Sequence, residues 1–400
     1  MDYKKPTVAI IGAGPAGCIC AYYAQKNCDV TLFDFAKPLH TLLYTGGGRC
    51  NLAYAEYDFR ELAKFYPRGE KFLYSVFSKF ATGDTLDFFE KIGVETYTQD
   101  DLRIFPTSNS ADEVREKILN SIKSCKIKKE KVVDIYKKAD ETFSLKTDQN
   151  DYSFDKIVIA VGGHAGFALA DGLGHRIIQP RPALVGLVTK ESLKPIQGVS
   201  LKSISAEVFF ENKKVAQVKD DLLFTHVGIT GPLAYKISSL CARINYTDKN
   251  PLKVKLDFIQ GELADGIDLQ NLLNSNPKKD IKNLVSDFTP KSIAHYLLTS
   301  NNINLEEKCC NINAKMRDLI LKSLKEFEIN VVSPTKEGEV VTAGGVCLDE
   351  INPKTMESKL EEGLYFCGEV IDVDGFCGGF NLQNCWSTGF VVGENVGSEN

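Results

Sequence analysis

Three glycines, Gly12, Gly14 and Gly17, follow the apolar run Val8–Ile11, and a carboxylate, Asp34, closes the next apolar run 20 residues after Gly14. Each residue type has a task in holding a dinucleotide. Gly12 permits a tight turn, Gly14 lets backbone N–H groups approach a pyrophosphate, and Gly17 lets a helix pack closely on the preceding strand. Pro15 and Ala16 open that helix, whose positive end faces the phosphates. Asp34, with Phe35 beside it, stands where a carboxylate accepts hydrogen bonds from a ribose 2′-hydroxyl.

Two further glycine-rich stretches carry chemistry. In Gly46-Gly47-Gly48-Arg49-Cys50-Asn51 the glycines offer backbone donors, and Arg49 can fork two hydrogen bonds to phosphate oxygens. A flexible turn with a surface arginine is the alternative reading. Late in the chain, the apolar run Leu364–Cys367 delivers Gly368 and Glu369 to its carboxyl end. An acid placed there can hold the sugar-alcohol hydroxyls of FAD, which a simple NAD dehydrogenase would not need. Gly378 and Gly379 then open a helix expected over 382–396, whose positive end would stabilise an anionic reduced flavin.

The elements that must position these residues follow from the pattern. Val8–Ile11, Val30–Phe33, Ile157–Val161 and Leu364–Cys367 read as buried parallel strands. The third of these carries Ala160 and ends in Gly162 and Gly163, as expected where an open α/β sheet meets a ligand. Residues 58–93 have apolar spacing for two or three amphipathic helices, and 111–124 for another, capped by Ser110. From 186 to 260 the pattern changes to short alternating strands, as in a small antiparallel barrel or sheet. Residues 262–330 read as helices with polar connections. The expected fold is α/β: a discontinuous Rossmann-like FAD-binding domain with an inserted β-barrel-like domain and a helical part. Its FAD-binding parts are 1–185 and 336–400. The insertion is 186–335, barrel-like over 186–260 and helical over 261–335.

Composition fits a globular enzyme. Apolar residues make up 43% and charged residues 25%, and the net charge is −5, so no nucleic-acid partner is expected. Residues 123–138 carry seven lysines, read as the solvated face of a helix and the strand after it. A first strand near residue 7 leaves no room for a signal peptide, and no apolar run is long enough to span a membrane, so a cytoplasmic location is expected. The twelve cysteines show no CxxC spacing, which points to buried reduced thiols and to neither a metal site nor a redox dithiol.

These residues together resemble the BaiN-like (YhiN-like) family of NAD(P)/FAD-dependent flavoproteins over nearly the whole chain. The resemblance is carried by the glycine fingerprint of 12–17, by Thr45-Gly-Gly-Gly-Arg-Cys-Asn51 and Arg103-Ile-Phe-Pro-Thr-Ser108, and by Leu223-Phe-Thr-His-Val-Gly-Ile-Thr-Gly-Pro232. Gly368-Glu-Val-Ile-Asp372 followed by Gly378-Gly-Phe-Asn-Leu-Gln383 completes it. It implies tightly held, non-covalent FAD. Asp34 takes the place of a more usual Glu. The 47–51 loop lies against the pyrophosphate and flavin, Val133 makes a backbone contact to adenine, and Ala160, Gly162 and Gly163 line the cleft. Asp372, Gly379, Phe380, Asn381, Leu382 and Gln383 approach the ribityl chain and the ring, with Phe380 where a Tyr is common.

Flavin carries the hydride chemistry, but a reductase still needs a proton donor. Of the five histidines, His226 lies in the insertion motif and is the candidate general acid, a structural turn histidine being the alternative. His164 follows the glycine pair and could face the cleft, while Cys50 and Cys377 could flank the flavin. No second GxGxxG follows a strand, so either NAD(P)H visits the same cleft as a transient donor or the electrons come from the substrate itself. The expected activity is reduction of an activated C=C or C=O bond in a small organic substrate. The alternatives are an oxidase of a small amine or alcohol, an RNA-directed flavoprotein, and a non-catalytic FAD-binding scaffold.

Overall fold

The first apolar run is strand β1 (Thr7–Ile11), buried from Val8 onward. It feeds helix α1 (Pro15–Ala24) and then β2 (Asp29–Phe33). Strands β3 (Lys126–Lys128) and β4 (Lys156–Ile159), helix α2 (Gly163–Gly172), strand β5 (Leu364–Phe366) and helix α3 (Phe380–Asn395) complete the frame. The structure is a computed structural model that describes residues 5–259, 268–336 and 341–398. It divides into two compact units, 1–181 with 342–400, and 182–341.

In the first unit the five strands form one sheet in the order β5-β4-β1-β2-β3, every neighbouring pair parallel. Ile10 sits between Leu32 and Val158, and Ile159 lies beside Phe366. The central strands are buried on both faces, which is why they read as unbroken apolar runs. Strand order reverses between β1 and β4, so a crevice opens at their carboxyl ends. Helices α1 and α3 approach closely because two glycines carry no Cβ. A Cβ built on Gly389 would lie 2.5 Å from the Ala16 carbonyl oxygen, and one on Gly393 would lie 2.7 Å from that of Cys20.

The amphipathic stretch resolves into three helices, Phe59–Ala63, Glu70–Phe77 and Thr82–Lys91. Ser110 caps helix Ala111–Ser121, its Oγ accepting from the Glu113 N–H at 3.3 Å. Two three-stranded antiparallel sheets flank the frame. One pairs Ala53–Tyr54 and Thr96–Thr98 with Arg103–Pro106 between them, and the other joins Val132–Lys137, Phe143–Thr147 and Asp151–Phe154.

The second unit holds a closed six-stranded barrel. Its long hairpin, Ser200–Phe210 with Lys213–Phe224, turns at Glu211 and Asn212, both with positive φ (50° and 62°). That is the backbone of a two-residue turn matched to strand twist. Alternate residues such as Val208, Leu222, Val254 and Ile329 are buried.

One expectation needs correction. The helical stretch does not run to 330: Phe327–Pro334 is the sixth barrel strand, pairing with Leu252–Asp257 on one side and Leu187–Thr189 on the other. The alternation Phe-Glu-Ile-Asn-Val has the period of two that a half-buried strand requires. The lysine run contains an element of the main sheet, since Lys126–Lys128 is its edge strand, with Ile127 hydrogen-bonded in register with Leu32. A short edge strand rich in lysine is a common way to blunt a sheet edge.

Candidate functional site

At the carboxyl end of β1 the three glycines do different physical work. Gly12 has φ of +104°, and a Cβ there would sit 2.8 Å from the Ala160 carbonyl and the Val161 nitrogen. Gly12 therefore lets β1 and β4 close together at the crevice. A Cβ on Gly17 would lie 1.9 Å from the Gly12 carbonyl oxygen, so Gly17 sets the depth of α1 against the turn. A Cβ on Gly14 would meet nothing within 4 Å. It would project into open space at the start of α1, where Pro15 and Ala16 form the first turn. That is the cradle a pyrophosphate needs at a helix N-terminus.

Asp34 is fixed at both oxygens. Oδ2 accepts from the Ala13 N–H and Oδ1 from the Ala36 N–H, each at 2.8 Å. A carboxylate has about four acceptor sites, so each oxygen retains capacity for a ribose hydroxyl. Beside it lies a shallow cleft, open to solvent, bounded by Gly12, Asp34, Phe35, Val132, Val161 and Leu169. Phe35 is 60% exposed and forms one apolar wall. Glu130, Lys131 and Ala165 also border the cleft. Val133, expected at the adenine, is the next residue along and is 47% exposed. Glu130 accepts from Thr147 Oγ1 at 2.7 Å and from the Tyr152 hydroxyl at 2.8 Å. Burial pushes its carboxyl up, but these donors outweigh burial and hold it below the usual range.

In the 46–51 loop, Gly46, Gly47, Gly48 and Cys50 all have positive φ. Gly47 and Gly48 are exposed. The Arg49 guanidinium stacks 4.1 Å above the Phe105 ring, and its Nε donates to the Gly46 carbonyl at 3.3 Å. The cation is thus held in place while its terminal nitrogens remain available for an anion. Cys50 points into the core, and burial pushes its thiol up to about 12. Asn51 is buried, with its Oδ1 lacking a hydrogen-bond partner.

At the end of β4, Ala160 is buried, and Gly162 caps α2, whose first residue is Gly163. A Cβ on Gly162 would lie 3.2 Å from Glu369 Cβ and 3.5 Å from its Oε2. The bare glycine therefore leaves room for the acid that follows β5. Glu369 is open to solvent in the crevice yet crowded by protein. Desolvation, with the Asp374 carboxylate adding to it, pushes Glu369 up to about 7. Asp374 is fully buried and takes a bidentate pair from Arg68 Nε and Nη2. Asp372 is also buried, and its N–H donates to the Val346 carbonyl at 3.1 Å.

The side chains at the start of α3 divide their tasks. Gly379, with φ of +96°, is the cap, and a Cβ there would lie 2.8 Å from the Ala53 carbonyl. The Phe380 ring turns into the core and stacks on Phe65 at 4.5 Å. The Asn381 amide clamps the Gly375 peptide, accepting from its N–H at 2.9 Å and donating to its carbonyl at 3.0 Å. Gln383 is buried and donates to Thr85 and Ser387, while Leu382 packs on the core. What this turn presents to the crevice is the backbone of a 16-residue helix start.

The histidines lie on different elements. His226 is an exposed residue of the connection between barrel strands Lys213–Phe224 and Gly228–Thr230. Thr225 holds that turn, its N–H donating to the Gly228 carbonyl at 2.8 Å and its Oγ1 accepting from the Gly228 N–H at 3.1 Å. His164 lies in the first turn of α2, and its side chain is outside the described part of the structure. His175 is buried and fully hydrogen-bonded. Nine of the cysteines are buried, Cys125 is half-buried, and Cys310 and Cys377 are exposed. The cleft residues Glu130, Lys131, Val132, Ala165 and Leu169 carry no sequence signal of their own; topology alone brings them to Asp34.

The doubly wound parallel sheet, with its crevice shared between an N-terminal βαβ unit and a late strand–loop–helix, is the frame of a Rossmann-type FAD-binding fold, and the family match makes the chain an FAD-dependent oxidoreductase. The chain belongs to the HI0933-like family, whose Rossmann-domain description matches residues 6–395. It is 28% identical over 405 residues to the 3-dehydro-bile acid delta(4,6)-reductase of Clostridium scindens, covering 96% of this chain and 98% of that protein. It is also 28% identical over 412 residues to the ribosomal RNA dihydrouridine synthase of Escherichia coli, covering 97% of each chain. Among solved structures, the open conformation of a flavocytochrome c3 fumarate reductase superposes with a TM-score of 0.52 at 14% identity, covering 98% of this chain and 78% of that one. This last is a likeness of fold.

Proposed function

We propose that the protein is an FAD-dependent reductase that adds hydrogen across a carbon–carbon double bond conjugated to a carbonyl, with NADH or NADPH as donor. One observation carries the choice of reaction. Relatives matched over whole chains at equal identity are named for different substrates, yet both names describe hydrogenation of a C=C bond. FAD, when bound, accepts and delivers the hydride.

The chain's own residues bind and orient it. The Gly12–Gly17 turn and Arg49 would hold the pyrophosphate, Asp34 the adenosine ribose, and Glu369 the ribityl hydroxyls. The open position at Gly14, the spare acceptor sites on Asp34 and the cleft beside it all suit these groups. The start of α3 would stabilise negative charge on the reduced ring. His226 would supply the proton to the substrate carbon; its solvent-exposed position on a barrel turn suits proton exchange.

A small organic enone is the first substrate class. A uridine in RNA is the second, favoured by the two dihydrouridine synthases among the relatives, while the acidic net charge of −5 weighs against it. The test is anaerobic. NADH or NADPH is added to the yellow protein and bleaching of the flavin absorbance is followed, after which a 3-oxo-4,6-diene steroid or a uridine-containing RNA is offered. Reoxidation by one of them supports the reading and selects the class. Bleaching only by an amine or alcohol, with reoxidation only by oxygen, would replace it with an oxidase.

A further inference from the structure

His175 lies just past α2, with its ring 1% exposed. Nδ1 faces Glu350 Oε2 at 3.2 Å and Nε2 faces Ser358 Oγ at 2.9 Å. The Ser358 oxygen also accepts from the Leu360 and Glu361 N–H groups, both at 2.9 Å. Its two lone pairs are thereby occupied, so its own proton goes to Nε2. The ring proton must then sit on Nδ1, donated to Glu350, whose Oε2 also accepts from the Arg176 N–H at 2.9 Å. Every group is satisfied only while His175 is neutral. A second ring proton, on Nε2, would face an oxygen with no acceptor site left. The Ser–His–Glu order resembles a nucleophile relay, but a buried oxygen with both lone pairs bonded cannot attack.

This network stands between two elements that build the crevice. On one side the His175 backbone N–H donates to the Ala170 carbonyl at 3.1 Å and so fixes the residue to the far end of α2; the same helix contributes Ala165 and Leu169 to the cleft. On the other side Phe366, the last residue of β5, meets the His175 ring edge-on at 4.7 Å, and Glu369 follows three residues later. Glu350 and Glu361 are the acids that act on the ring. The Arg176 side chain lies 3.6 Å from Asp349 and 4.0 Å from Glu350, and Phe366 contributes no charge.

We propose that His175 is a pH-sensitive positioning residue for FAD: neutral, it ties α2 to β5 and keeps both halves of the crevice in register, and protonated, it breaks the Ser358–His175–Glu350 chain and loosens the cofactor. The inference rests on the FAD-binding reading of the crevice. Burial disfavours the charged ring and outweighs Glu350, so the group titrates below the ordinary 6.5. The latch is therefore intact at neutral pH and fails on the acid side.

The test uses the flavin-loaded protein, with FAD release followed by the fluorescence of free FAD and the fold by far-UV circular dichroism, between pH 8 and 4.5. In the wild type, FAD affinity is expected to fall by about tenfold per pH unit once His175 titrates, as one-proton linkage requires, while the dichroism stays unchanged. His175→Gln should lose the step that lies below pH 6.5 while the separate Glu369 titration near pH 7 persists, and Ser358→Ala, which removes the partner of the neutral ring, should move the His175 step to higher pH; the second variant decides if the first does not fold. A step below pH 6.5 that survives in His175→Gln, a midpoint of that step unmoved in Ser358→Ala, or release that coincides with loss of secondary structure overturns the latch alone. A protein that holds no FAD at pH 8 overturns the cofactor reading and the latch with it.

Discussion

Asp34 Oδ2 accepts from the Ala13 N–H at 2.8 Å, so the acid at the end of β2 grips the glycine turn after β1. The residue that would bind the ribose also shapes the phosphate loop. Asp34→Ala should therefore weaken FAD by roughly 1–3 kcal/mol, the scale of a buried hydrogen-bond partner left unmade, and lower the melting temperature of the apoprotein as well. FMN lacks the adenosine half, so its affinity should change less. Titrations with FAD and FMN, beside thermal melts, check this; equal losses for both would remove Asp34 from the ribose.

Gly14 and Gly17 should fail differently. The Cβ of Gly14→Val projects into open space, so the variant should fold with near-normal stability and bind no flavin. The Cβ of Gly17→Val lands 1.9 Å from the Gly12 carbonyl oxygen, so it should destabilise the fold by about 1–3 kcal/mol or more, as overpacking does. Urea denaturation and the flavin content of purified protein separate the two outcomes.

Asp374→Ala should cost about 3–5 kcal/mol, because the buried Arg68 guanidinium loses its bidentate carboxylate. Since the Asp374 charge helps raise Glu369, the same substitution should let Glu369 ionise at lower pH. Chemical denaturation and a pH titration of the variant test both effects.

Glu369 keeps its proton in the fold up to about pH 7, whereas the ordinary glutamate value is 4.5. Between those values the folded apoprotein holds more protons than the unfolded chain, so its stability falls as pH rises through that window. Glu369→Gln should flatten this slope and melt higher than wild type at pH 8, with little difference at pH 4.5. Melting curves of apoprotein across that range are the measurement, and parallel slopes for the two proteins would count against it.

His226→Gln should retain FAD and be reduced by NAD(P)H at nearly the wild-type rate. Turnover of the C=C acceptor should drop by ~10²–10⁴, the usual effect of losing a positioned general acid. Stopped-flow traces of the two half-reactions distinguish this from a structural defect, which would slow both.

The glycine fingerprint and the strands around it are readable in sequence because local chemistry and position coincide there. Gly12 answers to Ala160 and Val161, Gly17 to the Gly12 carbonyl, and Gly14 opens onto free space, yet all three are fixed within one turn. The barrel's closing strand, Phe327–Pro334, is hidden for the opposite reason: its partners Leu252–Asp257 and Leu187–Thr189 are far away in sequence, and a short alternation beside helices has little local signature. The roles of Phe380 and Gln383 are likewise set by distant partners, Phe65 and Thr85. Glycine motifs announce a helix start but not which way its side chains face. Glu130 and Lys131 reach the cleft only because β3 lies beside β2, a placement that a lysine-rich run conceals.

The glycine-mediated contact of α1 with α3 has a consequence for biosynthesis. A ribosome makes the phosphate turn and its helix first, then a complete barrel, and only then the strand and helix that cover α1. Until residues 364–395 leave the exit tunnel, the face of α1 that carries Cys20 and Tyr23 has no α3 to pack against, and Glu369 is not yet in the crevice. The nascent N-terminal segment must wait in a partly open state, the kind of intermediate that attracts chaperones. Flavin supply during translation is thus expected to matter little until the last helix docks.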